Sequence, residues 1–167
     1  LMDRKTAVCD LPRHPKCGLS IDHHQSNKPV GDEDGVISVW RATPSAARIA
    51  HDLLKNRIDL SDLEDLLVWV DKLDGGGVTR DEYLSDDPAV WLGRVIDVSE
   101  GTAMAVLEGL QKGNRIDEIL EMPLISRKLL ERKSEREKLT EIIAERTVVV
   151  DRIAIARLDG LGTVSYT

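Results

Sequence analysis

Two short apolar segments lie near the start of the sequence, Thr6-Ala-Val-Cys-Asp10 and Gly18-Leu-Ser-Ile-Asp22, and each of them ends on an aspartate. Short apolar runs bounded by turn residues are typical of buried strands. A third run, Gly35-Val-Ile-Ser-Val-Trp-Arg41, is rich in β-branched residues and precedes a helical pattern. Because strands that alternate with helices form parallel sheets, the sequence predicts an α/β fold with a parallel sheet flanked by helices.

Helices are predicted where apolar residues recur at helical spacing between capping signals. They cover residues 43–57, 61–74, 102–112, 116–121 and 123–146. We expect Thr43 to cap the first of them, with Pro44 in its first turn, and Ser61 with Glu64 to form a capping box at the start of the second. The three glycines at 75–77 are predicted to be a mobile loop.

The charge pattern predicts three regions along the chain. Residues 1–122 form the first domain, the highly charged residues 123–146 form a long linker helix, and residues 147–167 begin a second, strand-led domain. Within that last region, 147–157 is one strand or a bent pair, and Asp159-Gly160 is a turn before a final strand. We expect both ends to be cut from a longer protein, because the first residue is Leu1 and the last residues stop inside a predicted strand.

The composition is that of a soluble globular protein, with 41% hydrophobic and 32% charged residues. No run is long and apolar enough for a membrane span and no signal peptide is recognisable, so we expect a cytoplasmic location without membrane association. A net charge of −7 and few aromatic residues argue against a broad nucleic-acid surface. Cys9 and Cys17 are expected to be reduced thiols, in preference to a metal site with His14.

The candidate chemistry lies at the ends of the first two predicted strands, at Asp10 and at Asp22-His23-His24. In parallel sheets ligands bind beyond the carboxyl ends of the strands, so these side chains should converge. Two adjacent histidines on an extended chain point in opposite directions, and one can therefore bind a metal while the other faces a substrate. Asp22 is placed to orient a histidine ring. The mixed imidazole and carboxylate set favours Mn²⁺, with Mg²⁺ as the alternative.

Read in full, Leu19-Ser-Ile-Asp-His-His-Gln-Ser-Asn27, preceded by Val8-Cys-Asp-Leu-Pro12, resembles the DHH phosphoesterase superfamily. This superfamily includes nanoRNases, cyclic-dinucleotide phosphodiesterases, single-strand exonucleases and family II pyrophosphatases. The resemblance extends from Thr6 to about Asp74. It implies that Asp10 is a metal-bridging carboxylate, that His23 and Asp71 are metal ligands, and that His24 faces the scissile phosphate.

The sequence also departs from the family pattern. Asp71 lies in Val-Asp-Lys-Leu-Asp-Gly and not in the Asp-Thr-Gly-x-Phe of nanoRNase-like members, and Asp74 is interpreted as a solvated helix end. The family's N-terminal His-x-Asp-x-Asp or Asp-x-Asp motif is absent from this sequence, so the domain is N-terminally incomplete. We therefore expect the ligands that complete a pair of metal ions to lie outside it.

The function that the resemblance implies is metal-dependent phosphoester hydrolysis of short oligonucleotides or small nucleotides, in which two metal ions activate a water molecule. His24 and Asp22 would be the catalytic residues, with His24 stabilising charge on a phosphoryl oxygen. Ser26, Asn27 and Arg41 are candidate substrate contacts. Two alternatives are a pyrophosphatase or polyphosphatase, and a catalytically inactive regulatory module. A homodimer is left open.

Overall fold

The computed structural model describes residues 2–31 and 35–160. The chain divides into two compact units, Leu1–Ser85 and Asp86–Thr167. This division differs from the domain boundaries that were predicted at residues 122 and 146. Those boundaries concern the domains of a longer protein and stay predictions.

The first unit is built on a three-stranded parallel sheet. Its strands are β1 (Ala7–Cys9), β2 (Leu19–Asp22) and β3 (Ile37–Trp40), in the spatial order β1-β2-β3. Cys9 lies opposite Ile21 across the first ladder, and Asp22 lies opposite Trp40 across the second. The carboxyl ends of all three strands therefore share one edge, and the predicted α/β class is confirmed.

The helices of the first unit are α1 (Ala46–Leu54), α2 (Glu64–Asp74) and α3 (Arg80–Leu84), and two short 3₁₀ helices cover Gln25–Asn27 and Ser61–Leu63. The predicted cap of α1 is wrong, because Ser45 and not Thr43 accepts the hydrogen bond from the backbone N–H of Arg48, at 3.0 Å. The predicted capping box at Ser61 does not form, because that residue begins the 3₁₀ turn and α2 starts without a side-chain cap.

Two helices were missed in the sequence although their capping signals are present. Thr79 and Glu82 form a capping box at the start of α3. Asp87 caps α4 (Pro88–Val95) by accepting a hydrogen bond from the backbone N–H of Ala89. Both helices are short, so each contains too few turns for apolar periodicity to be recognised in the sequence.

The second unit continues with α5 (Thr102–Gln111), α6 (Ile116–Glu121) and α7 (Pro123–Arg146), followed by the antiparallel pair β4 (Thr147–Val150) and β5 (Ile153–Ala156). These three helices and the bent pair of strands confirm the predictions, and the expected final strand lies outside the described residues. Val95, Ile119 and Ile125 are without solvent exposure and form the centre of this unit. Among the described residues no helix is long and apolar enough to cross a membrane.

Candidate metal centre

Asp10 turns sharply out of the sheet at the end of β1. Its φ angle of 61° is in the left-handed region, which non-glycine residues seldom adopt and which recurs at functional sites. The backbone N–H of Asp10 donates to the carbonyl of Ile21 at 2.9 Å, so the turn is held against β2. The Asp10 carboxylate thereby comes to the end of the neighbouring strand, where the two histidines begin.

His23 carries the clearest signal of a bound cation. Its Nδ1 lies 3.1 Å from the backbone carbonyl of Thr43, and because a carbonyl only accepts hydrogen bonds, this contact places the proton on Nδ1. In the neutral ring the lone pair is then on Nε2, which lies 3.3 Å from Asp10 Oδ1 and 3.2 Å from Asp74 Oδ2. Nε2 is buried and makes no hydrogen bond to any described residue. Three electron-pair donors that face one another fit a shared cation.

His24 joins this group from the other side of Asp10. Its Nδ1 lies 2.8 Å from Asp22 Oδ1 and 3.7 Å from Asp10 Oδ1. The ligand atoms of Asp10, His23 and His24 all lie within 4.8 Å of one another. The hydrogen bond to Asp22 raises the pKa of His24 above its ordinary value. The predicted convergence of the two strand ends is confirmed.

Asp22 is the buried anion that organises the two histidines. Its carboxylate accepts the backbone N–H groups of His23 and His24 at 2.7 and 2.9 Å, as well as the side chains of His24 and Asn27. Burial alone would raise the pKa of Asp22, but the hydrogen bonds from His24, Asn27 and His23 outweigh it and hold this pKa below its usual range. Asp22 therefore sets the orientation of the His24 ring, and its side chain also engages Asn27.

The structure does not bring Asp71 into the cluster. Its Oδ1 accepts from Ser45 Oγ at 2.7 Å, and its Oδ2 accepts from Arg48 Nε at 2.8 Å, so this carboxylate faces α1. Asp74, interpreted in the sequence as a solvated helix end, is the residue of α2 that lies against His23. The two aspartates are three residues apart, and helical spacing alone could not decide which of them turns towards the strand ends.

The remaining substrate candidates lie at the same edge of the sheet. Ser26 is an exposed residue of the 3₁₀ helix that follows His24. Arg41 follows β3, donates its backbone N–H to the carbonyl of Asp22, and places its guanidinium 3.9 Å from Asp52. Asp10 and Asp74 also line a cavity of about 530 Å³. Its other walls come mainly from small and apolar residues: Cys9, Ser45, Ala46, Ala47, Ala50, Val70 and Leu73.

Trp40, a residue that the sequence did not single out, completes this edge. Its indole Nε1 donates to the backbone carbonyl of His24 at 2.8 Å, and Lys28 Nζ lies 4.9 Å from the centre of the ring system. An aromatic residue at the end of a strand is ordinary in a sheet. The sequence therefore held no signal that set it apart.

The chain matches no protein-family model and no curated protein sequence. Among solved structures it is similar to the pGpG-specific phosphodiesterase PggH from Vibrio cholerae, with a TM-score of 0.77 and 21% sequence identity. The alignment covers 98% of this chain and 56% of that chain. The likeness shows a shared fold, and the present chain spans about half the length of that structure.

Proposed function

We propose that this chain is part of a metal-dependent phosphodiesterase that cleaves small nucleotides. The observation that carries the proposal is the buried Nε2 of His23, which faces the carboxylates of Asp10 and Asp74 without a hydrogen bond. The fold shared with a pGpG-specific phosphodiesterase supports the same class of substrate. The Asp22-His23-His24 signature independently implies phosphoester hydrolysis.

The residues that would hold a divalent cation are Asp10, His23 and Asp74. One imidazole with two carboxylates is a donor set that suits Mn²⁺ first and Mg²⁺ as the alternative. When bound, such cations lower the pKa of a coordinated water and neutralise charge on phosphoryl oxygens. Asp10, whose carboxylate lies near both histidines, is suited to the bridging role. A second cation would need ligands beyond these three residues.

The other residues of the site orient the substrate and the ligands. The carbonyl of Thr43 holds His23 in the tautomer that frees Nε2. Asp22 holds the His24 ring beside Asp10, where the half-exposed imidazole can contact a phosphoryl oxygen. Ser26 and Arg41 are proposed as further contacts with the substrate, whereas the side-chain nitrogen of Asn27 already donates to Asp22.

The proposal is tested first by metal binding. Mn²⁺ is titrated into the purified wild-type chain and into the His23→Ala and His14→Ala variants, with calorimetry as the readout. His14→Ala is the matched control, because it removes one imidazole from the same unit, and His14, whose Nδ1 accepts from the backbone N–H of Lys16, does not belong to the Asp10, His23 and His24 cluster of described residues. We expect wild type and His14→Ala to bind Mn²⁺ and His23→Ala to lose binding. Equal metal content in all three proteins would refute the site.

Hydrolysis is tested second, with a 5′-phosphorylated dinucleotide and inorganic pyrophosphate as parallel substrates in Mn²⁺. We expect the dinucleotide to be cleaved, and His24→Asn to lower turnover by about a hundredfold or more while Mn²⁺ binding persists. Phosphate release from pyrophosphate without dinucleotide cleavage would contradict the phosphodiesterase assignment. Mn²⁺ binding without turnover of either substrate, in a protein that also supplies the ligands of a second cation, would also contradict it.

A further inference from the structure

We infer that Trp40 and Lys28 form a nucleobase-binding platform beside the candidate metal centre, which receives one base of the nucleotide substrate. The inference rests on the proposed function and names a specificity element of the same site. Its elements are an aromatic face, a cation above that face and a hydrogen bond that fixes the ring.

The position of Trp40 places the platform next to the reacting groups. Trp40 ends β3 and lies opposite Asp22 in the parallel ladder, so it occupies the same sheet edge as Asp10 and the two histidines. Its indole N–H donates to the backbone carbonyl of His24, whose ring lies beside Asp10. The aromatic ring is therefore hydrogen-bonded to the backbone of the residue next to His23, a proposed metal ligand.

The hydrogen bond leaves the indole ring pre-organised for stacking. A partly buried tryptophan needs a partner for its N–H, and the carbonyl of His24 supplies it without using the ring face. A side chain already held in one orientation loses little conformational entropy when a ligand binds. Trp91 contrasts with Trp40, because it is 2% exposed and belongs to the interior of the second unit.

Lys28 supplies a positive charge beside a cluster of acidic side chains. Its ammonium group lies over the Trp40 ring, within the range of a cation–π contact, while the nearby side chains of Asp10, Asp22 and Asp74 are acidic. A nucleotide joins a flat aromatic base to a phosphate. A base that stacks on this face would displace the Lys28 ammonium group from the ring towards its own phosphate, so a nucleotide fits the platform better than inorganic phosphate or pyrophosphate does.

Stacking on an aromatic side chain tolerates every base, because each base has a π-face. The platform is therefore expected to distinguish nucleotides from base-free phosphates and to discriminate only weakly among bases. The substrate class that follows is a nucleoside phosphodiester, with one base on Trp40.

The test measures binding of GMP in EDTA, so that no hydrolysis is needed. Intrinsic fluorescence and calorimetry are recorded for wild type and for the Trp40→Phe, Trp40→Leu and Trp69→Phe variants, with ribose 5-phosphate as the base-free probe. We expect GMP to quench wild type and Trp69→Phe, and the quenching to be lost in both Trp40 variants. Trp40→Leu should weaken GMP binding about tenfold or more, whereas Trp40→Phe, which keeps an aromatic face, should stay within a few-fold of wild type.

The Lys28→Gln variant tests separately whether Lys28 contacts the phosphate. It should weaken binding of GMP several-fold and leave binding of guanosine unchanged. GMP affinity that is unchanged in Trp40→Leu would overturn the platform. So would equal weakening of GMP and ribose 5-phosphate, since that result marks a purely structural role. If Trp40→Leu does not fold, the loss or persistence of quenching in Trp40→Phe still decides the matter.

The outcomes separate this inference from the proposed function. GMP binding through Trp40 in a protein that hydrolyses no nucleotide would leave the platform standing and refute the phosphodiesterase. Dinucleotide hydrolysis whose KM is unchanged in Trp40→Leu would support the phosphodiesterase and refute the platform.

Discussion

Asp71 and Asp74 lie one helical turn apart on α2, and we predict that neutralising Asp71 lowers the stability of the metal-free protein whereas neutralising Asp74 does not. Asp71→Asn removes the charge that Arg48 contacts through Nε and Nη2, and leaves the guanidinium without its carboxylate. A hydrogen bond to a charged group contributes about 1.5–3 kcal/mol, and the side chain of Arg48 is 31% exposed, so solvent screening reduces the effect. We expect a loss of about 2 kcal/mol in the free energy of unfolding.

Asp74→Asn removes a repulsion instead. The carboxylates of Asp10 and Asp74 both approach His23 Nε2, at 3.3 and 3.2 Å, so these two oxygens are at most about 6.5 Å apart. At an effective dielectric constant of about 20, two like charges at that distance repel by about 3 kcal/mol. Asp10 is 48% exposed and Asp74 is 32% exposed, which screens the repulsion to about 1 kcal/mol or less. The metal-free variant should therefore be as stable as wild type or slightly more stable.

Urea denaturation with and without Mn²⁺ checks both predictions. In EDTA, Asp71→Asn should unfold at lower urea and Asp74→Asn should not. Saturating Mn²⁺ should stabilise wild type and Asp71→Asn, because an ion that binds the folded state raises the free energy of unfolding. It should not stabilise Asp74→Asn, because that variant lacks one of the proposed metal ligands. If Asp71→Asn keeps its stability in EDTA and loses the effect of Mn²⁺, Asp71 is a metal ligand and the reasoning is refuted.

The remaining predictions concern stability elsewhere in the chain. Hydrogen bonds from Lys72 and Thr79 lower the pKa of Glu82 to about 2, so its ionised form stabilises the fold above the unfolded value of 4.5 and this contribution is lost as the pH falls towards 2. Glu82→Gln should flatten that loss in thermal midpoints measured across this range, and an unchanged pH profile would contradict the ion pair. Ile125 is without solvent exposure, so Ile125→Ala should cost about 2–5 kcal/mol in urea denaturation. Leu130→Ala on the same helix, where the side chain is 66% exposed, is the control and should stay within about 0.5 kcal/mol of wild type.

Local sequence was enough for the elements whose signal is carried by consecutive residues. The strand ends at Asp10 and Asp22 could be predicted because apolar runs end there, and parallel strands necessarily bring their carboxyl ends to one edge. The bounds of α6 and α7 follow from Pro123 and from apolar spacing over whole turns. The orienting role of Asp22 was also predictable, since its partners are its own neighbours in the chain.

Tertiary structure alone decided the contacts between distant residues. Asp74 lies against His23, and Asp71 faces Arg48, because the packing of α2 against α1 sets the rotation of the helix about its axis. Helical periodicity identifies the face of α2 that packs against the rest of the unit. It does not identify which residue in the last turn of the helix reaches the ends of the strands. The Trp40 bond to His24 likewise joins residues sixteen positions apart through strand register. The Asp22-His23-His24 signature and the strand ends can therefore be predicted from local sequence, whereas the choice of Asp74 over Asp71 beside His23 depends on how α2 packs.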